Sequence, residues 1–276
     1  NRTKADTRWF GRGLSLFLAV AMMAMLFISN AVAQSTFGSF VGTVKDSSGA
    51  VVADAVITLT NLGTSATRST VSDKDGNYTL INIDPGAYSI SMQAPGFQSA
   101  NFTNLTLLSR QTVRIDGALG VAQQVETVNV SASTEAVITT EVSSIAETKT
   151  GRELLDLPVA IGSRAAGSTS PISTLTTQAG VQVDNAGALS VAGSKPSMLS
   201  VTVDGISTMS VRTNAAASEL FPSFGTIAEI RVSEINNAAE FGGVSDITTV
   251  SKSGSNALHG GVFENLQKIG RHTSEL

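Results

Sequence analysis

The sequence predicts a mainly β protein, an antiparallel β-sandwich followed by a mixed α/β domain, and three observations carry that expectation. Short runs rich in Val, Ile, Thr and Tyr alternate apolar with polar residues, the period of a half-buried strand. Clusters of Asp, Gly and Pro punctuate the runs at short intervals. Charged residues make up only 14% of the 276 residues and there is no cysteine, while Ser, Thr, Val, Ala and Gly abound, as in surface-type β proteins rather than helical enzymes.

Residues 1–33 precede these runs and read as an export signal. Arg2, Lys4, Arg8 and Arg12 form a basic start, an apolar run extends from Leu14 to Ile28, and Ala31 and Ala33 supply the small residues of a cleavage site before Gln34. The run is shorter than the roughly 20 residues a membrane-spanning helix needs. Cleavage after Ala33 removes those four basic residues and Asp6, so the 18 basic and 22 acidic residues become 14 and 21, a net charge of about −7. An acidic exported chain is a poor match for a nucleic-acid partner. Without cysteine, stability has to come from apolar cores, and about 240 residues suffice for two small domains.

The first module is expected over residues 37–119. Ala55, Ile57 and Leu59 alternate with Val56, Thr58 and Thr60; Tyr88, Ile90 and Met92 alternate with Ser89, Ser91 and Gln93; Val113 and Ile115 alternate with Thr112, Arg114 and Asp116. In each run the apolar set is expected to face inward. Asp46-Ser47-Ser48-Gly49, Asp73-Lys74-Asp75-Gly76-Asn77, Asp84-Pro85-Gly86 and Ala94-Pro95-Gly96 are turn signals. The order of Gly42-Thr43-Val44, the strand over residues 53–60, the turn at Asp73 to Tyr78, Pro85-Gly86-Ala87-Tyr88 and Pro95-Gly96-Phe97 resembles the carboxypeptidase regulatory-like domain. That resemblance implies a prealbumin-like seven-stranded antiparallel β-sandwich with no peptidase centre.

Two site readings compete with plain structure in this module. Asp73, Asp75 and Gly76 resemble the start of a calcium loop, but the third ligand and the closing glutamate are missing, so a tight turn is the expected role and no metal site is assigned. The sandwich also resembles carbohydrate-binding folds, which stack aromatic platforms on sugar rings. Trp9, the only tryptophan, leaves with the signal, and Tyr78, Tyr88 and Phe97 stand where core residues are expected. The Asn-x-Ser/Thr triplets at Asn77, Asn101, Asn104 and Asn129 are what chance provides in a Ser/Thr-rich chain.

Residues 120–130 form the joint. Gly120-Val121-Ala122-Gln123-Gln124 is a polar linker, and Glu126-Thr127-Val128-Asn129-Val130 is a short β-prone stretch. The pentapeptide resembles a TonB box, the segment through which outer-membrane receptors contact the energy-coupling protein TonB by strand addition. An ordinary linking strand fits the same residues.

The second module, residues 131–255, resembles the plug domain of TonB-dependent receptors, particularly the large Oar-like type that carries a regulatory-like sandwich in front. Residues 150–158 resemble that family's short helix ending in a Leu-Pro step, and residues 172–181 its next helix. Residues 189–193 with 201–205 resemble its paired central strands, and residues 227–232 and 239–243 the strand and turn that follow. Residues 250–256 and 259–263 resemble the step into the first barrel strand, expected within 256–276. Ala179 replaces the usual Pro before Gly180-Val181, and Ser163 follows Gly162 where Arg is common. Read without the resemblance, the alternation at Val201 and Val203 before Asp204-Gly205 still indicates a half-buried strand. Glu153 and Glu229 are expected on solvated faces, and His259 at a turn or barrel rim.

No pair of carboxylates, no Ser/His/Asp set and no metal spacing stands out, so no catalytic residue and no cofactor is expected. The resemblance implies the N-terminal part of a TonB-dependent outer-membrane receptor, with TonB, the receptor's own β-barrel and an imported ligand of unknown identity as partners. A membrane barrel strand takes about 9–11 residues, and closure needs many of them. The 26 residues after Val250 hold one or two, so the chain is expected to be part of a longer receptor, and by itself periplasmic. The alternative is an exported carbohydrate-binding-like module that works without a barrel. Plug loops 185–188 and 209–217 are candidates to touch the ligand.

Overall fold

The computed structural model describes residues 36–121, 128–131, 145–156, 172–183, 188–210, 212, 216–217, 220–235, 237, 243–258 and 260. Ala31, Ala33 and Gln34 of the expected cleavage site, Glu126 and Thr127, Ser163, His259 and His272 lie outside them. The described chain is mainly β: a two-sheet sandwich followed by a mixed α/β module. Among the described residues no helix is long and apolar enough to cross a membrane.

The sandwich is built from β1 (Gly38–Asp46), β2 (Val56–Asn61), β3 (Thr67–Val71), β4 (Asn77–Ile83), β5 (Gly86–Gln93), β6 (Ala100–Leu107), β7 (Thr112–Arg114) and β8 (Gly117–Leu119). One sheet has β1 between β4 and the β7/β8 pair; in the other the order is β3-β2-β5-β6, with β9 (Val128–Ser131) outermost beyond β6. β7 and β8 are two halves of one strand, since both meet β1 in the same register, Val41 opposite Arg114 and Val44 opposite Gly117. Counted so, the module before β9 has the seven strands expected, but it is not wholly antiparallel. β7 and β8 run parallel to β1, and β9 runs parallel to β6.

The period-two patterns place the core as expected. Ala55, Ile57, Leu59, Tyr88, Ile90, Met92, Val113 and Ile115 are all buried in one cluster with Phe40, Val44 and Leu119. The Tyr88 ring packs edge-on against Phe40, with centroids 5.8 Å apart. Tyr78 is buried and its hydroxyl donates to the Ile115 carbonyl at 2.8 Å, tying β4 to the kink between β7 and β8. Burial pushes the Tyr78 hydroxyl well above the ordinary phenol range. At the kink the Asp116 carboxylate accepts from Thr43 N at 2.8 Å, filling the ladder position that the broken strand leaves.

Asp73 behaves as the turn reading requires. Its Oδ1 accepts from Asp75 N at 2.9 Å and Asn77 N at 2.8 Å, and Gly76 takes the left-handed φ of 74°. The carboxylate is engaged in bracing its own hairpin.

The second module is a five-stranded sheet in the order β10 (Ile145–Thr150), β15 (Ile227–Ile235), β16 (Ser245–Ser251), β13 (Leu199–Val203) and β14 (Ile206–Ser207), with a separate ribbon of β11 (Val181–Val183) and β12 (Leu189–Val191). The expected first helix is present as Gly151–Asp156. Thr150 and Glu153 close its start as a capping box, the Glu153 carboxylate accepting from Thr150 N at 2.7 Å. That bond, together with the one from the Thr150 hydroxyl, holds the Glu153 carboxyl below its ordinary range. The next helix is shorter than expected, only Ile172–Leu175. Thr177 ends it, its hydroxyl turning back to the Thr174 carbonyl at 2.6 Å, and Gly180 with φ 76° starts a turn into β11.

One pairing differs from the expectation. Residues 189–191 and 201–203 do not pair with each other: β12 pairs with β11, while β13 lies between β14 and β16. Positive φ at Ala192 and Gly193 turns the chain out of the ribbon, and a 3-10 turn at Pro196–Met198 intervenes before β13.

Candidate functional site

Strands β15 and β16 give the second module a two-sided sheet, and the sides differ in chemistry. Ile230 and Val232 pair with Thr249 and Ile247, and these with Val201 and Val203 make the apolar side that joins the buried cluster of Leu154, Leu175 and Val191. The opposite side carries Glu229, Arg231 and Ser233 from β15, Asp246 and Thr248 from β16, and Ser200 and Thr202 from β13. A sheet face of this composition is ordinarily wet. Here Glu229 is 3% exposed and Asp246 0%.

The sandwich reaches this face through the turn at residues 108–111, which follows β6. Arg110 holds a left-handed φ of 57°, a conformation that costs a non-glycine residue about 1–2 kcal/mol. The turn is braced by Gln111 N donating to the Leu108 carbonyl at 3.2 Å and by Leu108 N donating to Gln111 Oε1 at 2.9 Å. Arg110 then projects its guanidinium onto Asp246 Oδ2 at 2.5 Å and Thr248 Oγ1 at 3.3 Å. Ser109 N donates to Glu229 Oε1 at 2.5 Å, and the Arg231 guanidinium donates to the Ser109 carbonyl at 3.4 Å. Two residues of the sandwich are thus gripped by four of the sheet.

Glu229 is therefore a correction to the solvated face expected of it. Period two in β15 places it on the polar side, but that side is covered. Sequence reasoning also missed Ser109, Arg110, Arg231 and Asp246, because the partners lie more than 100 residues apart and only folding brings them together. The signal available was weak: two acids and an arginine on one face of paired strands.

Burial dominates the electrostatics. It raises the Glu229 carboxyl above its ordinary range despite the Ser109 bonds and Arg231, and raises Asp246 despite Thr248 and Arg110. Burial and the neighbouring Arg110 charge lower Arg231. A carboxyl whose folded value is raised holds its proton longer than in the unfolded chain, so its favourable contribution is complete below the ordinary carboxylate range and is lost as pH rises through the raised value. Denaturation midpoints are accordingly expected to rise as pH falls from neutrality toward the ordinary carboxylate range, and the Glu229→Gln variant to show a flatter profile over the same span. Parallel profiles for the two proteins would contradict this electrostatic account.

A second contact joins the modules at the β2–β3 hairpin. Asn61 Oδ1 accepts from Gly63 N and Thr64 N, shaping the tip. Asn256 then donates from its backbone to the Gly63 carbonyl at 3.0 Å and from Nδ2 to the Thr64 carbonyl at 2.8 Å. Between the two contacts lies a cleft of about 660 Å³, lined by Asn61, Asp84 and Tyr88 on one side and Asp204, Glu229 and Lys252 on the other. Its polar groups are largely engaged: Tyr88 donates to the Asp84 carbonyl at 2.7 Å and Lys252 to the Gly225 carbonyl at 2.8 Å. Tyr78 and Tyr88 are core residues and Phe97 packs against the core, so none of the three offers a platform for a sugar ring. Among the described residues, no group of three or more His, Asp or Glu is placed to hold a metal ion.

Of the joint pentapeptide, Val128, Asn129 and Val130 fall in β9, whose backbone pairs with β6 with Ala100 opposite Val128 and Thr103 opposite Ser131. Of the candidate ligand loops, Met209 bridges to Ala216, while residues 185–187 lie outside the described residues.

The model of the carboxypeptidase regulatory-like domain family matches residues 39–120, the sandwich. The TonB-dependent transporter Oar of Myxococcus xanthus is 29% identical over 255 residues, which span 89% of this chain and run well beyond the sandwich. The chain is similar to that TonB-dependent transporter over most of its own length. It spans 23% of that transporter's length. Two solved structures show faint likeness to this chain. Hydroxyquinol 1,2-dioxygenase from Pseudomonas putida is 11% identical, with 32% of this chain and 57% of that one covered and a TM-score of 0.26. The TIE protein of Bacillus anthracis is 18% identical, with 31% and 17% covered and a TM-score of 0.27. At such scores neither carries an argument about function.

Proposed function

We propose that the chain is exported by residues 1–33 and forms the periplasmic N-terminal part of a TonB-dependent outer-membrane receptor. In this reading residues 131–255 are a plug that gates a β-barrel formed by the remainder of the receptor, residues 126–130 are the contact for TonB, and the ligand is an imported molecule selected by barrel and loops. The observation that carries the reading is the continuity of the match to the transporter Oar, which extends across 89% of the chain rather than ending with the sandwich. The docking of the sandwich on the sheet supports it as well. A module that only preceded a plug on a flexible tether would need no buried ion pair with it, whereas Arg110 and Asp246 form one.

The two contacts also give the sandwich a mechanical role. It touches the polar face of the sheet through Ser109 and Arg110, and through Gly63 and Thr64 it touches Asn256, at the expected step toward the barrel. A shift of the plug would therefore be felt at two loops on the same end of the sandwich, the β2–β3 hairpin and the turn after β6. Fractionation of cells that make the full-length receptor tests the reading, the outer membrane being the expected location.

A further inference from the structure

The cleft between the modules opens into the sandwich itself. Leu59 of β2, Tyr88 of β5 and Leu107 of β6 line it from one sheet and Ile83 of β4 from the other, and all four belong to the buried core, so the floor of the cleft lies between the two sheets. The second module supplies the facing wall, with Glu229 of β15, Val250 of β16 and Lys252 just after it. We propose that this cleft binds a small amphiphile, an apolar molecule that carries one carboxylate, with its apolar body on the floor of Leu59, Ile83, Tyr88 and Leu107 and its carboxylate held by Arg68 and Lys252. Nothing in this site depends on the receptor reading.

The walls carry the charge that selects an anion. Arg68 stands opposite Leu59 in the β2–β3 register and so shares its face. Its Nη1 donates to the Asn82 carbonyl at 2.6 Å and to the Ile81 carbonyl at 3.2 Å. Both partners are neutral, so the positive charge is not cancelled, and the Nε and Nη2 edge is left for the paired oxygens of a carboxylate. Lys252 is held in the same way on the facing wall, Nζ donating to the Gly225 carbonyl at 2.8 Å. Arg110, Arg114 and Lys149, by contrast, each pair with a carboxylate. Of the acids that line the cleft, Asp204 is occupied by Ser251, whose N and Oγ both donate to it at 2.8 Å, and Glu229 accepts from Ser109 N. Burial also raises the Glu229 carboxyl, which takes negative charge off that wall. Asp84, an exposed residue, is then the one open carboxylate in the lining, against two cations.

Size and lining fit such a ligand. A volume of about 660 Å³ falls within the range of small-molecule pockets, which are mostly apolar, carry a few polar groups that fix orientation and often form where domains meet. A polar ligand such as a sugar would give up hydrogen bonds to water on this floor without replacing them. A run of methylenes gives up none, and each one buried tightens binding by up to about fourfold. Arg68 and Lys252 are themselves exposed, so the carboxylate keeps part of its hydration and escapes the full cost of a buried ion pair. Because the walls belong to different modules, a molecule bound between them also favours the docked arrangement that Arg110 and Asp246 hold.

Residues 34–276 contain no tryptophan, so the emission of a dansyl-labelled ligand is read without tryptophan background. This chain is titrated with dansylaminoundecanoic acid and with the methyl ester of the same compound, beside Arg68→Gln/Lys252→Gln and Ala66→Trp. Ala66 lines the cleft and is exposed, so a tryptophan there fills the space without entering the core. Wild type is expected to bind the acid saturably and the ester about threefold or more weaker, the size of an ion pair at an exposed site. The double variant is expected to lose that preference by weakening the acid alone, and Ala66→Trp to weaken both ligands by about tenfold or more. Tyrosine fluorescence during thermal unfolding shows whether each variant retains its sandwich core. No saturable binding by wild type, equal affinity of wild type for acid and ester, an unchanged preference in a folded double variant, or unchanged affinity in a folded Ala66→Trp would each overturn the proposal; the first two are read on wild type alone.

Discussion

Replacing Asp246 with alanine is expected to destabilise the joint between the modules by about 3–5 kcal/mol, the usual consequence of removing one partner of a buried ion pair. Asp246 is fully buried and the Arg110 side chain is 10% exposed, so no water replaces the lost carboxylate. The variant leaves the guanidinium groups of Arg110 and Arg231 close together with only Glu229 to balance them, and the Arg110 charge already disfavours protonated Arg231 in the native protein. In thermal unfolding of residues 34–276 this corresponds to a fall of roughly 6–20 °C, at about 2–4 °C per kcal/mol for a chain of this size. The two tyrosines allow the loss to be located. Tyr78 and Tyr88 both sit in the sandwich core, so tyrosine fluorescence reports on that module, while circular dichroism reports on both. In Asp246→Ala the circular dichroism transition is expected to move and separate from the tyrosine transition. The apolar double variant Arg110→Met/Asp246→Leu is expected to recover most of the loss, because no buried charge is then left unpaired. A single variant with wild-type stability would mean that the turn carrying Arg110 does not hold the modules together.

Replacing Gly42 with alanine is expected to damage the sandwich itself. A Cβ at this position would stand 1.9 Å from the Ile115 carbonyl oxygen and 2.8 Å from Tyr78 Cε1. The first of these is backbone, so relief requires β1 and the β7/β8 strand to part at the kink, with loss of the Tyr78 hydroxyl bond to the same carbonyl. Overpacking of this kind costs about 3 kcal/mol or more when no flexible side chain can yield. The tyrosine transition should therefore fall first, the reverse of the order expected for Asp246→Ala. Gly49→Ala is a useful contrast: its φ of 90° is strained for alanine but nothing lies within 4 Å, so the expected loss is only the backbone cost of about 1–2 kcal/mol. Equal losses for the two glycines would show that the closing strand is not seated as described.

These variants also mark what was legible in the sequence. Strands with a clean alternation, such as Ala55 to Thr60 and Tyr88 to Gln93, declared their inner faces because a period of two leaves one choice once the apolar set is buried. The turns at Asp73 and Asp46 were legible for the same local reason, since each carboxylate serves amides two and four residues on. Parallel pairing of β7 and β8 with β1 was not, because no short-range pattern distinguishes a parallel neighbour from an antiparallel one across 73 residues. The helix expected at residues 172–181 was cut short by Thr177 and Gly180, whose turn preferences outweigh the apolar spacing around them. The polar face of β15 and β16 was misread at Glu229 for a related reason. Alternation tells which side of a strand is polar, and water is only the commonest cover for such a side. Here the cover includes a turn of the sandwich, selected by the reach of Arg110 to Asp246.

In the proposed receptor this chain is the periplasmic front of an outer-membrane barrel, and subcellular location tests that most directly. Cells that make the full-length receptor are separated into soluble periplasm, inner membrane and outer membrane, and the outer-membrane protein is run on gels with and without heating. Recovery with the outer membrane is expected, with a band that changes mobility on heating, as a closed β-barrel does when it unfolds. Recovery of the same full-length receptor as a soluble periplasmic protein, with no heat-dependent change, would contradict the receptor reading.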